Sequence, residues 1–162
     1  MNSKKKIVSL KNLAASTERL RRQGKTIAFT NGCFDLLHMG HVSYLEMAKK
    51  DNRVLIVGMN SDASVRKIKG NNRPIVAQAE RARVLAALGC VDFVTIFNEQ
   101  TPLKVITTIK PDVLIKGADW KNKEVVGARE ITAHGGKVEF ITYVDHFSTT
   151  KLVKKIQGMC AR

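Results

Sequence analysis

At 162 residues, with 44% apolar and 26% charged residues, the chain fits one globular domain around a single core and is too short for a two-domain enzyme. No apolar run approaches the ~20 residues that span a bilayer, and the basic start "MNSKKKIVSLKNLAAS" has no continuous apolar stretch for a signal peptide, so a cytoplasmic protein is expected. The 28 Lys+Arg against 14 Asp+Glu leave a net charge of +14, which attracts nucleic acid, an acidic membrane surface or a polyphosphate, although solvated helix faces are the default reading for most of these cations.

Residues 9–23 read as a first helix, with Ser9 as N-cap and Leu10, Leu13 and Leu20 on one face. A strand follows at 26–30. A helix with Val42, Leu45 and Ala48 at helical spacing comes next, and then the buried-strand run "RVLIVGM" at 53–59. A short helix leads into a loop marked by Gly70, Asn71, Asn72 and Pro74, before a helix at 78–88 carrying Val84, Leu85 and Leu88. Three more strands are expected at 91–97, 112–117 and 137–143. Between them fit a helix capped by Thr101 with Pro102 in its first position, and a longer helix over "NKEVVGAREITAHGG" closed by Gly135. A last helix starts at "STTKLVKKIQ". Strands alternating with helices predict an open, doubly wound parallel sheet covered on both faces. The expected layout is an N-terminal helix over 1–24 packed on a domain of 25–157, with a tail at 158–162.

In such folds ligands bind beyond the carboxyl ends of the strands. The stretch "TNGCFDLLHMGH", residues 30–41, lies at one of those ends and holds two of the four histidines. If the helix begins near Gly40, His38 and His41 share a side of its first turn, beside N–H groups that have no intrahelical partner and favour anions. Gly32 is expected to turn the chain sharply and admit a phosphate close to the backbone. Asp35 is too near an anion site to bind phosphate; capping the turn, orienting a histidine or meeting a sugar hydroxyl suits it better.

Two plainer readings stand beside this one. The pair could be an ordinary loop histidine and a partly buried helix histidine. It could also ligate a metal, but zinc needs a third protein ligand, which only His134, His146, cysteines or scattered carboxylates could supply. The cysteines Cys33, Cys90 and Cys160 are odd in number and lack a CxxC pair, so neither a zinc cage nor a disulfide framework is expected.

Further along, Lys69 and Arg73 flank the Gly-Asn-Asn loop at the expected mouth of the site, where surface cations are the plain alternative to phosphate ligands. "IKGADW" ends a strand with Lys116, Gly117 and Asp119, followed by Trp120, for which core is the default reading. Ser148 or Thr149 is first of all an N-cap.

"TNGCFDLLHMGH" resembles the H-x-G-H signature of the nucleotidyltransferase superfamily. The stretches "VGMNSDASVRKIKGNNRPI", "ERARVLAAL", "VDFV", "PDVLIKGADW" and "FSTTKLVKKI" are similar, in order, to the heptose 1-phosphate adenylyltransferases within it. The resemblance spans about residues 25–157 and implies a single Rossmann-like domain with a five-stranded parallel sheet. It implies His38, His41, Lys69 and Arg73 as the catalytic set. Nucleotide contacts are implied at Asn31, Gly32, Cys33, Phe34, His38, Gly40, His41, Lys116, Gly117, Asp119, Ser148, Thr149 and Thr150. Acceptor contacts are implied at Asn31, Asp35, Asn60, Asp62, Lys69 and Arg73.

ATP and a sugar 1-phosphate are the implied partners, with Mg²⁺ arriving on the ATP and no dedicated metal cage. A separate kinase is expected to supply the sugar phosphate. Related enzymes often form homodimers, though no interface residue is legible here. Cytidylyltransferases often carry an arginine just before the S-T-T motif, where this chain has Asp145, His146 and Phe147. A glycerol 3-phosphate cytidylyltransferase or an FMN adenylyltransferase is the nearest alternative. A basic nucleic-acid-binding domain is the rival from another class, but 6% aromatics and no RNA-binding motif give it little support. A class I tRNA synthetase is excluded by the absence of K-M-S-K-S.

Overall fold

The computed structural model describes residues 2–142 and 149–160. Among them, five strands form one parallel sheet: β1 (Thr26–Gly32), β2 (Arg53–Asn60), β3 (Phe93–Phe97), β4 (Val113–Gly117) and β5 (Lys137–Ile141), in the order β3-β2-β1-β4-β5. The helices are α1 (Leu10–Arg22), α2 (Met39–Ala48), α3 (Asp62–Lys69), α4 (Gln78–Ala87), α5 (Leu103–Ile109), α6 (Ala128–Ala133) and α7 (Thr149–Cys160).

Period-two alternation explains both faces of the sheet. Ile27, Phe29, Val54, Ile56 and Leu114 turn to one side, where they pack with Leu13 of α1, Val105 and Ile109 of α5 and Ile131 of α6. Ala28, Leu55, Val57, Val94 and Ile115 turn to the other and meet Tyr44, Leu45 and Ala48 of α2 and Ala82, Leu85 and Ala86 of α4. Burial on both faces is why these strands read as unbroken apolar runs.

From β1 the chain steps outward to β2 and β3, then returns to the other side of β1 for β4 and β5. The order therefore reverses between β1 and β4, and a cleft opens there beyond the strand ends.

Several local expectations hold. Ser9 Oγ accepts a hydrogen bond from the Asn12 N–H at the start of α1 (3.3 Å), while Leu10 and Leu20 pack beside buried Leu13. Others need correction. The long helix expected before β5 is only Ala128–Ala133, because Gly127 adopts φ +89° and separates it from the turn before it. A side chain at Gly127 would also come within 2.5 Å of Ile106. α5 starts at Leu103 with Pro102 at the N-cap position, and its first turn closes through the Ile106 N–H on the Pro102 carbonyl (3.0 Å). Thr101 thus sits outside the helix and does not cap it. On α4, Val84 is 49% exposed, and the charged Arg81 is buried instead. α7 runs to Cys160, past residue 158 where the tail was expected to start.

The basic N-terminal segment is also more than solvated surface. Ile7 bridges Val94 beside β3, and Lys6 Nζ donates to the carbonyls of Leu88 (3.0 Å) and Val91 (2.7 Å).

Candidate active site

The end of β1 leads directly into the histidine stretch. His38 occupies the N-cap position of α2 in extended conformation, without a side-chain cap bond, and His41 lies in the first turn. Three-residue spacing at a helix start brings the imidazoles together: the rings stack with centroids 3.9 Å apart, and Phe34 leans on His41 at 5.3 Å. The sharp turn expected at Gly32 is taken at Phe34, which has φ +46°. Gly32 serves differently, since a side chain there would meet the Phe34 ring at 3.0 Å.

Burial pushes His41 from the ordinary 6.5 down to about 4, with smaller contributions from His38 and Lys69, and burial also lowers His38. At neutral pH, His41 is an uncharged imidazole with one N–H to give. Its buried Nδ1 has no hydrogen-bond partner among the described residues.

A cavity of about 370 Å³ occupies the cleft. Among the residues singled out from the sequence, the structure brings to its wall Asn31, Gly32, Cys33, Phe34, Asp35 and His41 from the β1–α2 segment, and Asn60 and Lys69 around α3. Lys116, Gly117 and Thr149 complete that group. His38 stacks against His41 without itself lining the wall, and Gly40 is buried within α2. Asp62, Arg73, Asp119 and Thr150 are also off the wall. Ser148 and His146 lie outside the described residues.

Lys116 is a second cation on the cavity wall. Its Nζ donates to Asn31 Oδ1 at 2.6 Å, joining β4 to β1 where the strand order reverses, and it lies 5.3 Å from the Trp120 ring centroid. Desolvation pushes its amine from the ordinary 10.5 down to about 8, against the opposing charge of Asp119. Trp120 is 37% exposed and lines the cavity, so it is wall rather than core. Its ring also faces Lys123 Nζ at 5.6 Å.

Asp35 neither caps the turn nor orients a histidine. Its buried carboxylate takes Arg73 Nη1 at 2.6 Å and the N–H groups of Ile75 (2.8 Å) and Val76 (3.0 Å), clamping the loop after α3 to the β1–α2 segment. Burial alone would raise this carboxyl, but the hydrogen bonds from Val76, Arg73 and Ile75 outweigh it and hold the pKa below the usual range. Arg73 is thus committed to Asp35.

The sequence reading assigned no role to Arg81, which is wholly buried in the same framework. It donates to the carbonyls of Val76 (2.9 Å), Asn60 (3.0 Å) and Cys33, and pairs with Asp62 at 2.6 Å. One guanidinium therefore fastens the ends of β1 and β2, the start of α3 and the following loop. A signal existed: Arg81 stands in i, i+4, i+7 register with Leu85 and Leu88, on the apolar face of its helix.

Burial raises the Cys33 thiol, with Lys69 and Arg81 pulling the other way and Asp35 adding to the rise. It stays protonated and is a poor nucleophile. Among the described residues no three His, Cys, Asp or Glu side chains are grouped to hold a metal ion. No helix among them is long and apolar enough to cross a membrane.

The arrangement offers the neutral His41 imidazole and two cations, Lys69 and Lys116, around one cleft, a set that suits a polyphosphate. A cytidylyltransferase-like family model matches residues 29–155. A "Bifunctional protein HldE" from Geotalea uraniireducens is 52% identical over 156 residues, covering 96% of this chain and 32% of that protein. A protein of the same name from Campylobacter fetus is 53% identical over 154 residues, covering 95% and 32%. The chain spans about a third of the length of these curated relatives. A crystal structure of the lipopolysaccharide core biosynthesis protein from Thermoplasma volcanium superposes with a TM-score of 0.60 at 27% identity, covering 75% of this chain and 98% of that one.

Proposed function

The chain belongs to the cytidylyltransferase-like family of nucleotidyltransferases, and from that premise we propose that it joins ATP and D-glycero-D-manno-heptose 1-phosphate to give ADP-D-glycero-D-manno-heptose and pyrophosphate. The observation that carries the reading is the convergence on one cavity of His41, with its unpartnered Nδ1, and the cations Lys69 and Lys116. The choice of a heptose phosphate is supported by the five sequence stretches that resemble heptose 1-phosphate adenylyltransferases and by about 50% identity to the HldE relatives. The fold-level relative from lipopolysaccharide core biosynthesis supports a product destined for surface glycans. A reaction that consumes ATP suits a cytoplasmic enzyme.

In this reading a phosphate oxygen of the sugar 1-phosphate attacks the α-phosphorus of ATP in line. The bond from the α-phosphorus to the bridging oxygen breaks, and pyrophosphate leaves with the electron pair. The nucleophile is already an anion, so neither a covalent enzyme intermediate nor a general base is needed, and catalysis comes from positioning and electrostatics. His41 donates a hydrogen bond to oxygens that gain charge, Lys69 and Lys116 supply positive charge, and the N-terminal end of the α2 dipole adds to it. His38, stacked on His41, holds that ring in place. Asp35 and Arg81 keep the surrounding loops in register.

Mg²⁺ fits this site as part of the MgATP substrate. Mg²⁺ needs oxygen ligands, and Asp35, the one carboxylate on the cavity wall among the described residues, is engaged by Arg73, so phosphate oxygens and water would hold the ion.

The test is pyrophosphate release by the purified chain, pairing ATP, CTP and GTP with both anomers of heptose 1-phosphate, with glycerol 3-phosphate and with FMN. Turnover with ATP and one heptose anomer is expected, with a loss of ~100- to 1,000-fold in His41→Ala. Turnover confined to CTP and glycerol 3-phosphate would retain the chemistry and overturn the substrate.

A further inference from the structure

Polar groups on the cavity wall fall into two classes. The charged ones are the Asp35 carboxylate, engaged by Arg73, and the cations Lys69 and Lys116, which suit a phosphate that accepts hydrogen bonds. Most of the neutral ones are already used within the protein. Asn31 Oδ1 accepts from Lys116 (2.6 Å), the Tyr44 hydroxyl pairs with Thr30 (2.8 Å), and Asn60 Nδ2 donates to Ser64 Oγ (2.9 Å). Thr149 Oγ1 donates to the Leu36 carbonyl at 3.5 Å.

Gln100 and Thr101 differ. Both line the cavity and both are exposed, and neither side chain makes a hydrogen bond among the described residues. Thr101 is free for this because Pro102 takes the N-cap position of α5. The loop that carries them is fixed at its neighbour: Ser64 Oγ donates to the Glu99 carbonyl at 2.7 Å, and the Glu99 carboxylate turns to Lys104 at 3.2 Å.

We propose that Gln100 and Thr101 are the specificity residues for the acceptor, hydrogen-bonding the hydroxyl groups of its sugar moiety; this rests on the sugar-phosphate reading above. A sugar hydroxyl both donates and accepts, and a primary amide beside a hydroxyl supplies both partners. Position on the sheet separates acceptor from nucleotide. Gln100 and Thr101 follow β3, on the same side of the switch point as Asn60 and Lys69, whereas the wall after β4 offers the flat ring of Trp120 and apolar Val126, surfaces suited to a nucleobase.

The experiment uses the full chain and three variants, Gln100→Met, Thr101→Val and Thr101→Ser. Two readouts are taken for each: pyrophosphate release with ATP and heptose 1-phosphate, and fluorescence of Trp120, the single tryptophan, titrated separately with heptose 1-phosphate and with ATP. The expected result is a rise of about five- to tenfold in both KM and Kd for heptose 1-phosphate in Gln100→Met and Thr101→Val, the size of one lost hydrogen bond. KM and Kd for ATP stay within about twofold, a change worth under 0.5 kcal/mol, and Thr101→Ser recovers most of the affinity lost in Thr101→Val. An equal or larger rise for ATP would assign these residues to the nucleobase and overturn the inference. Unchanged constants, with the wild type turning over heptose 1-phosphate, would overturn the inference alone. A wild type that neither binds nor turns over any sugar 1-phosphate would overturn the functional reading and this inference with it.

Discussion

Lys116 Nζ lies 2.6 Å from Asn31 Oδ1, so one hydrogen bond ties the ends of β4 and β1 at the point where the strand order reverses. The lysine is buried there with no ion pair among the described residues, and desolvation outweighs the charge of Asp119 to drop its amine to about 8. That leaves a desolvated cation on the cavity wall.

A pH dependence follows. In the free enzyme Lys116 is charged below pH 8 and neutral above it, so kcat/KM for pyrophosphate formation should decline as pH rises through about 8. Lys116→Met should lose about 100-fold in kcat/KM and also lose this alkaline limb. An unchanged limb in the variant would assign the titration to another group.

His41 makes the opposite prediction for stability at low pH. Its folded pKa of about 4 lies below the ordinary 6.5, so between those values the unfolded chain takes up the proton first. Its contribution to stability is therefore complete above pH 6.5 and is lost as pH falls towards 4. Urea midpoints of the wild type and His41→Gln, compared at pH 7 and pH 4.5, test this: the wild type should lose more stability between the two than the variant. Equal losses would mean that His41 does not carry the effect.

The Asp35 clamp should be worth more to the fold than an exposed ion pair. The Asp35 side chain is 2% exposed and that of Arg73 is 19% exposed, and breaking a buried pair from one side costs about 3 kcal/mol. Asp35→Ala is expected to lower unfolding stability by roughly that amount, and a double-mutant cycle with Arg73→Ala should show coupling of about 1 kcal/mol or more. Simple additivity of the two single variants would show that the loop is held by other contacts.

Arg81 makes a sharper case. Four of its contacts depend on the spread of a guanidinium, with carbonyls on two sides and Asp62 on a third. Lysine offers one compact charge in its place, so Arg81→Lys should cost about 3 kcal/mol of stability despite keeping the charge. Thermal unfolding of the wild type and variant measures this directly, and a shift of under 2 °C would contradict it.

Much of this architecture was legible because its signals are local. β-strand runs such as "RVLIVGM" are apolar throughout because both faces of a parallel sheet are covered, and that composition lies in consecutive residues. The histidine spacing in "HMGH" carries its own geometry, since any helix starting at Met39 brings residues three apart together, and the 3.9 Å ring stack is the result. Ser9 as a cap is likewise decided within four residues.

What escaped the sequence depends on contacts between distant segments. Trp120 reads as core by its apolarity, yet it forms cavity wall because it follows β4 at the cleft. Thr101 reads as a cap until the helix is seen to begin two residues later, which leaves its hydroxyl to the cavity. Arg81 looks like one surface cation among 28 until Cys33, 48 positions away, is brought to its guanidinium. Lys116 and Asn31 stand 85 residues apart. The sequence by itself determined the five strands, most of the helices, their order and the place of the histidine pair, because hydrophobic period and most caps are set by near neighbours. Only the tertiary structure decided which polar side chains share the cleft, because that depends on the strand order and on which buried donors and acceptors have already found partners.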